Sequence, residues 1–392
     1  MRRSAFLLLL ALAAAPCCAA TPVTVAQLEQ FVATAQSKSD KDITRQLEEM
    51  QLTERLTTPR LDRMELQLTG ILPKRALLAL ADTSAFLDLP KTDELQLPAP
   101  DAAAQGRILS RAADFVQATV TRMPDFLATR TRARFENLKF NRLSAEPLLE
   151  NYQSLLDRTS MTVQYRNGRE VEEPVGQPAP GHYVSSSTGL IDWGVFGPML
   201  EIVISDILHG KMGWGHWEQG PSGPVAVFRY AVPEERSNYT VRYCCFLSSD
   251  HMMRQYETVP QYHGEIAVNP ETGDVLRLVM KTDLKTDVPM YRADVVVEYG
   301  PVEIGGRTYI CPLKSIAIST AMVLFTPGMG IYVEAEPTWQ SNYGGKDQLK
   351  VTSINDVIFD HYHKFQAEMR ILPFDSKQAS DNPQSGVPAK QP

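Results

Sequence analysis

The chain has 392 residues, of which 43% are hydrophobic and 22% charged, and its 46 acidic residues outnumber 39 lysines and arginines for a net charge of −7. These proportions exclude a disordered polymer, a collagen-like fibre and a polytopic membrane protein. The acidic balance also argues against a nucleic-acid partner, because such a partner requires a basic stripe that displaces counterions from phosphates. At roughly 100 to 200 residues per domain, the length predicts two folded units.

The amino-terminal segment, residues 1–20, has the layout of a secretory signal peptide. Two arginines precede an apolar run at residues 6–15, and small residues end at Ala19 and Ala20. The apolar run is too short to span about 30 Å of hydrocarbon as a stable anchor. We therefore predict cleavage after Ala19 or Ala20 and a mature protein that is periplasmic or secreted, without a transmembrane segment.

The five cysteines leave two questions open. Lipid modification of Cys17 or Cys18 is the alternative to a soluble mature protein. Cys244, Cys245 and Cys311 follow the signal segment, and an exported compartment permits disulfides. Alternation along a strand puts Cys245 on the face that favours the core, so a disulfide, if one forms, is predicted between Cys245 and Cys311. Three reduced, buried thiols are the alternative.

Residues 21–105 are predicted to form a helical amino-terminal region and a linker. Thr24 and Gln27 fit a capping box before an apolar stripe at helical spacing. Two more stripes of this period follow within residues 43–50 and 76–87. Residues 89–105 are rich in proline and alanine, which indicates a linker or an irregular connection.

Residues 106–372 are predicted to form an antiparallel sheet domain. After a helix at residues 107–122 the hydrophobic period changes to two, which is typical of strands. Asn167-Gly168, residues 269–273 and Gly305-Gly306 are turn signals that join consecutive strands into hairpins.

One helix, at residues 199–208, interrupts these strands and is expected to lie across a face of the sheet. Residues 373–392 lack large apolar side chains and are predicted to be a disordered tail. The fold class is therefore predicted as α+β: a helical amino-terminal unit followed by a large curved antiparallel sheet covered by one or more helices.

The familiar catalytic sequence motifs are absent from the chain. One candidate pair is His216 with Glu218, which would place a carboxylate beside a general base on one strand face with Trp214. The alternative is structural: Trp214 and Trp217 point to opposite faces of a strand and anchor the preceding helix. We favour the structural interpretation.

His361 and His363 are the best candidates for metal ligands. A period of two would put both imidazoles on one strand face. Because two ligands do not make a site, we predict no metal and no cofactor.

Three segments resemble the periplasmic lipoprotein-carrier (Lol-type) superfamily. They are GEIAVNPETGDVLRL at residues 264–278, VVVEYGPVEIGGRTYICP at 295–312 and MPDFLATRTRARFENL at 123–138. The resemblance covers roughly residues 107–372 and implies a half-barrel: a curved antiparallel sheet that, with its helices, encloses an apolar cavity for acyl chains. It implies a non-enzymatic activity and maps no binding residue onto this chain.

The leading functional hypothesis is a non-catalytic exported module that binds an apolar ligand or a partner protein of the cell envelope. Val227, Val268, Leu278 and Val297 are the candidate lining of its cavity. The alternatives are a hydrolase or metal-dependent enzyme that uses scattered His and Glu residues, and a structural scaffold whose sheet faces are filled by side chains.

Overall fold

A computed structural model describes most of the chain. The described residues are 20–140, 147–172, 189–190, 195–207, 210–247, 253–285, 290–326, 330–334 and 347–365. The predicted signal segment, apart from Ala20, and the predicted tail lie outside them. The α-helices are α1 Val25–Thr34, α2 Asp40–Glu48, α3 Thr58–Glu65, α4 Ile71–Ser84, α5 Ala102–Arg122 and α6 Pro198–Ile207.

Seventeen strands accompany these helices in the described part of the chain. They are β1 Thr21–Val23, β2 Met50–Leu52, β3 Glu94–Leu95, β4 Phe126–Phe140, β5 Pro147–Arg166, β6 Arg169–Glu172, β7 Gly189–Leu190, β8 Lys211–Gly220, β9 Gly223–Val232, β10 Val241–Leu247, β11 Met253–Thr258, β12 Gln261–Val268, β13 Val275–Asp283, β14 Met290–Ile304, β15 Arg307–Thr326, β16 Gly330–Glu334 and β17 Asp347–Lys364.

The large sheet is open and antiparallel along its main path. Eleven strands follow one another in the order β3-β8-β9-β12-β13-β14-β15-β17-β4-β5-β6, and β7, β10, β11 and β16 attach beside this path. β1 and β2 form a separate parallel pair. The predicted combination of helices with a large antiparallel sheet is confirmed.

Turn chemistry explains the hairpins of this sheet. Asn167 and Gly168 have φ values of 52° and 76°, and Gly305 and Gly306 have φ values of 61° and 78°. Two successive residues at positive φ make the turn whose twist matches that of paired strands, and Asn and Gly tolerate this backbone best. The predicted hairpins β5–β6, β12–β13 and β14–β15 are all present.

The first four helices bury a core of their own. Thr24 caps α1 as predicted, since its hydroxyl accepts from the Gln27 amide at 3.2 Å and the Gln27 side chain accepts from the Thr24 amide at 2.8 Å. Leu28, Leu47 and Leu77 meet in one cluster of buried side chains. The sequence prediction missed α3 because its apolar stripe consists of only Leu61 and Met64.

Helices α5 and α6 cover one face of the sheet, called here the α5/α6 face. Ile108, Ala112 and Val116 of α5 and Val203 of α6 join the sheet side chains in one large apolar cluster. Phe126 lies within it, stacked on Tyr165 with ring centroids 5.1 Å apart. Alternation along the strands sends every second side chain to this face, which is why the period of two was visible in the sequence.

Helix α4 packs on the opposite face, called here the α4 face. Ala79, Ala85 and Phe86 contact sheet residues that include Val279 and Ile318. This apolar contact is small, and charged side chains surround it. The predicted linker 89–105 contains β3, which pairs with β8, and the start of α5.

No helix among the described residues is long and apolar enough to cross a membrane.

Candidate functional site

A bulge in β8 decides which of its side chains reach the α4 face. The pairing with β9 shifts between Trp214 and His216, and a Cβ added to Gly215 would lie 2.9 Å from the Val227 carbonyl oxygen. The extra residue brings Trp214 and Trp217 together, with ring centroids 5.0 Å apart. The expectation of opposite faces for the two tryptophans is therefore wrong, because strict alternation does not survive a bulge.

Glu218 is the centre of a buried charge cluster on the α4 face. Its Oε1 accepts from Arg55 Nη2 at 2.7 Å and from Arg277 Nη2 at 2.8 Å, and its Oε2 accepts from Arg277 Nη1 at 2.5 Å. His216 Nε2 lies 2.8 Å from the same Oε1. Arg277 also approaches Glu265 Oε2 at 3.6 Å. Since Arg55 precedes α3, the cluster links the amino-terminal helices to three strands of the sheet.

The electrostatics of this cluster argue against acid catalysis by Glu218. Burial alone would raise the pKa of Glu218, but the charge and hydrogen bonds of Arg277, together with His216 and Arg55, hold that pKa well below its usual range. A carboxylate held in this way has no proton to donate. His216 and Glu218 do share a strand face, as the sequence suggested, but the Glu218 carboxylate is bound by two guanidinium groups.

A second charged group lies where α4 meets β15 and β17. Lys314 Nζ donates to Asp82 Oδ1 at 3.1 Å and lies 3.4 Å from Asp356 Oδ1, and Asp82 is fully buried. Asp82 Oδ2 has no hydrogen-bond partner. Burial and the charge of Asp356 raise the pKa of Asp82 to about 8, against the opposing effect of Lys314. One lysine thus lies beside two buried carboxyl groups, and the raised pKa favours the protonated form of Asp82.

Beside these two groups an open cleft separates the end of α4 from the sheet. The cleft has a volume of about 530 Å³. We call it the helix–sheet cleft and define it by six of its lining residues: Leu52, Thr83, Phe86, Lys281, Arg292 and Lys350. A smaller pocket of about 150 Å³ continues from it towards Arg55 and Glu265. Volumes of a few hundred cubic ångströms are typical of small-molecule sites.

Two aromatic rings that line this cleft each lie beside a cation. The Arg292 guanidinium lies 5.1 Å from the centroid of the Phe86 ring, and Lys350 Nζ lies 4.4 Å from the centroid of the Tyr291 ring. Arg292 Nε also pairs with Asp294 Oδ2 at 2.6 Å. The cleft therefore offers flat apolar surface next to positive charge.

The four residues predicted to line an apolar cavity are buried in two different clusters. Val268, Leu278 and Val297 are fully buried in the cluster of the α5/α6 face. Val227 pairs with Ala267 and belongs to a small cluster on the other face. None of the four lines the helix–sheet cleft or its continuation.

The predicted metal and disulfide residues have other surroundings. His361 adopts φ 50° at a bulge in β17, and His363 Nδ1 donates to the His361 carbonyl at 2.8 Å. Among the described residues, no group of three or more His, Cys, Asp or Glu side chains is arranged to hold a metal ion. Cys311 is a buried free thiol whose pKa burial raises to about 12. The side chain of Cys245, its predicted disulfide partner, lies outside the described residues, so the Cys245–Cys311 pairing stays a prediction.

The sequence analysis did not identify several residues of the site. Arg55, Asp82 and Lys281 stand alone in segments that otherwise read as helix or strand, and no motif marks them. The one available signal was a charge at a position where strand alternation requires a buried side chain, as at Arg277 and Lys314.

Comparison of the chain with known protein families, with characterised proteins and with solved structures finds no match.

Proposed function

We propose that the chain is a non-catalytic exported binding protein that holds a small ligand in the helix–sheet cleft. The observation that carries the proposal is the cleft itself, about 530 Å³ in volume, open to solvent and walled by side chains of both α4 and the sheet. The charge clusters beside it fix the two walls relative to each other, because Arg55 and Asp82 anchor the amino-terminal helices to the strands. A preformed cleft of this kind favours binding, since little ordering has to occur when the ligand enters.

The architecture that we propose around this cleft has two parts. The first is a helical amino-terminal unit, supported by the separate apolar cluster of α1 to α4. The second is a half-barrel, supported by the open antiparallel sheet and by the two helices against one of its faces. In the lipoprotein-carrier superfamily the cavity lies between sheet and helices. Here the proposed cleft lies on the α4 face, because packed side chains fill the described part of the α5/α6 face.

Export through cleavage of residues 1–20 is part of the proposal. It is supported by the arginines, the apolar run and the small residues at the amino terminus. Mass spectrometry of the protein purified from its native host tests it. A mature amino terminus at position 20 or 21 agrees with the proposal, and an intact Met1 or a lipid-modified cysteine contradicts the soluble exported form.

A fluorescent probe with a flat apolar body tests the cleft. N-phenyl-1-naphthylamine, which is uncharged, is expected to bind the full chain and to lose its fluorescence enhancement in the Thr83→Trp variant, whose indole fills the cleft. The matched control is Arg75→Trp, an exposed position on the same helix. Equal probe binding by wild type and Thr83→Trp, with both variants folded, would contradict a binding role for the cleft.

A further inference from the structure

We propose that the ligand of the helix–sheet cleft is a small organic anion, in which a carboxylate or phosphate group adjoins a flat apolar body. This inference rests on the proposed function, and it adds the chemical class of the ligand. The acidic group would lie between Lys281, Arg292 and Lys350, and the apolar body would lie against Leu87 and Tyr291.

The first argument is charge. Three lysine or arginine side chains line the cleft against one carboxylate, that of Asp294, although the whole chain carries a net charge of −7. Asp294 is already engaged, because it pairs with Arg292 Nε at 2.6 Å and accepts from the Thr282 amide at 3.1 Å. Lys281 and Lys350 form no ion pair with any carboxylate among the described residues, so their charge is available to a ligand.

The second argument is the support beneath each cation. Arg292 lies over the buried Phe86 ring, and Lys350 lies over the Tyr291 ring. Contacts between a cation and a ring face restrict the long side chain while leaving its hydrogen-bond donors free at the edge. Lys281 is half-buried and comes from the adjacent strand β13, Lys350 is exposed and comes from β17, and all three cations line the same cleft.

The third argument is the apolar floor. Leu87 and Tyr291 line the cleft and are 37% and 44% exposed, so both present apolar surface to it. An anion without an apolar part would leave this floor in contact with water. A flat organic body covers it and excludes water from the cations, which strengthens their attraction for the acidic group.

A matched pair of probes tests the anion selectivity. 1-Anilinonaphthalene-8-sulfonate has the same two ring systems as N-phenyl-1-naphthylamine and adds one sulfonate, which stands in for the carboxylate or phosphate. Fluorescence titration of the full chain is expected to give a Kd for the sulfonate probe about tenfold lower than for the neutral probe at low salt. Raising the salt concentration is expected to weaken the binding of the sulfonate probe and to leave that of the neutral probe unchanged.

Variants separate this inference from the proposed function. Lys281→Gln combined with Lys350→Gln is expected to remove the roughly tenfold preference for the sulfonate probe and to leave the neutral probe unchanged. Lys41→Gln, exposed on α2 and outside the cleft, is the control and is expected to change neither. If both probes bind equally and the lysine variants have no effect, the anion inference fails while the cleft proposal stands. If the Thr83→Trp substitution changes the Kd of neither probe, both proposals fail.

Discussion

The two faces of the sheet are covered by helices in different ways. On the α5/α6 face the contact is a continuous apolar cluster that includes Phe126, Phe228 and Val203. On the α4 face a small apolar contact lies among buried charges, of which Glu218 and Lys314 are the centres. Apolar burial stabilises a fold without requiring a particular geometry. A buried charge, in contrast, destabilises the fold unless oppositely charged or hydrogen-bonding groups surround it. The first face therefore holds the fold together, and the second fixes the position of the amino-terminal helices.

Truncating a ring on the α5/α6 face should have the largest effect. Phe126→Ala is expected to lower the free energy of unfolding by about 3–5 kcal/mol, because it removes a buried ring and leaves a cavity beside Tyr165 and Phe196. Urea denaturation followed by fluorescence measures the change. Leu66→Ala, at a side chain that is 86% exposed, is the control and should cost little. A loss below about 1 kcal/mol would mean that this face is loosely packed.

Removing the Glu218 carboxylate from the α4 face should lower the free energy of unfolding nearly as much as Phe126→Ala does. Glu218→Gln leaves Arg55 and Arg277 without their buried counter-charge and is expected to lower the free energy of unfolding by about 3 kcal/mol. The wild type should lose this contribution as the pH falls below about 4.3, the unfolded-state pKa of a glutamate, because the folded-state pKa is depressed. Urea titrations at pH 7 and pH 3 measure both effects. Equal stability of variant and wild type at pH 7 would show that the cluster is not a structural anchor.

The contribution of Asp82 to stability should depend on pH in the opposite sense to that of Glu218. Because its folded-state pKa is raised to about 8, the folded protein binds a proton that the unfolded chain releases near pH 4. Its contribution to stability is therefore lost as the pH rises from about 4 to about 8. Asp356, Lys314 and Glu298 are the charged groups that face Asp82.

Asp82→Asn, which is neutral at every pH, tests this sign. The stability of the variant relative to the wild type is expected to rise by a few kcal/mol between pH 5 and pH 9, because only the wild type loses stability as Asp82 is forced to remain protonated in the folded state. Asp40→Asn, at an exposed position of α2, is the matched control without this pH dependence. A wild type that gains stability relative to Asp82→Asn with rising pH would show that Asp82 is ionised in the folded state.

The same contrast explains what the sequence predicted. The α5/α6 face depends on local periodicity, so its strands, hairpins and covering helix at residues 199–208 were recognised within short windows. The α4 face depends on pairs that lie far apart in the chain: Arg55 and Glu218 are separated by 163 positions, and Asp82 and Lys314 by 232. No local pattern specifies such partners. The bulge at Gly215 is a second reason why the sequence prediction failed. It places His216 and Trp214 on opposite faces of β8, and no residue type in the strand signals it.

The smallest effect is expected at Asp206, a buried carboxylate on the α5/α6 face. Asp206 of α6 accepts from Tyr262 Oη at 2.8 Å and from the Asn238 amide at 2.8 Å. Tyr262→Phe is expected to lower the free energy of unfolding by about 1.5 kcal/mol, since one hydrogen bond to a charged group is lost while Asn238 keeps the carboxylate satisfied. Tyr291→Phe, at a half-exposed ring, is the control for loss of a hydroxyl, and urea denaturation at pH 7 compares the two. A loss close to that of Glu218→Gln would mean that a charged anchor also fixes α6, and the two faces would then differ in degree rather than in kind.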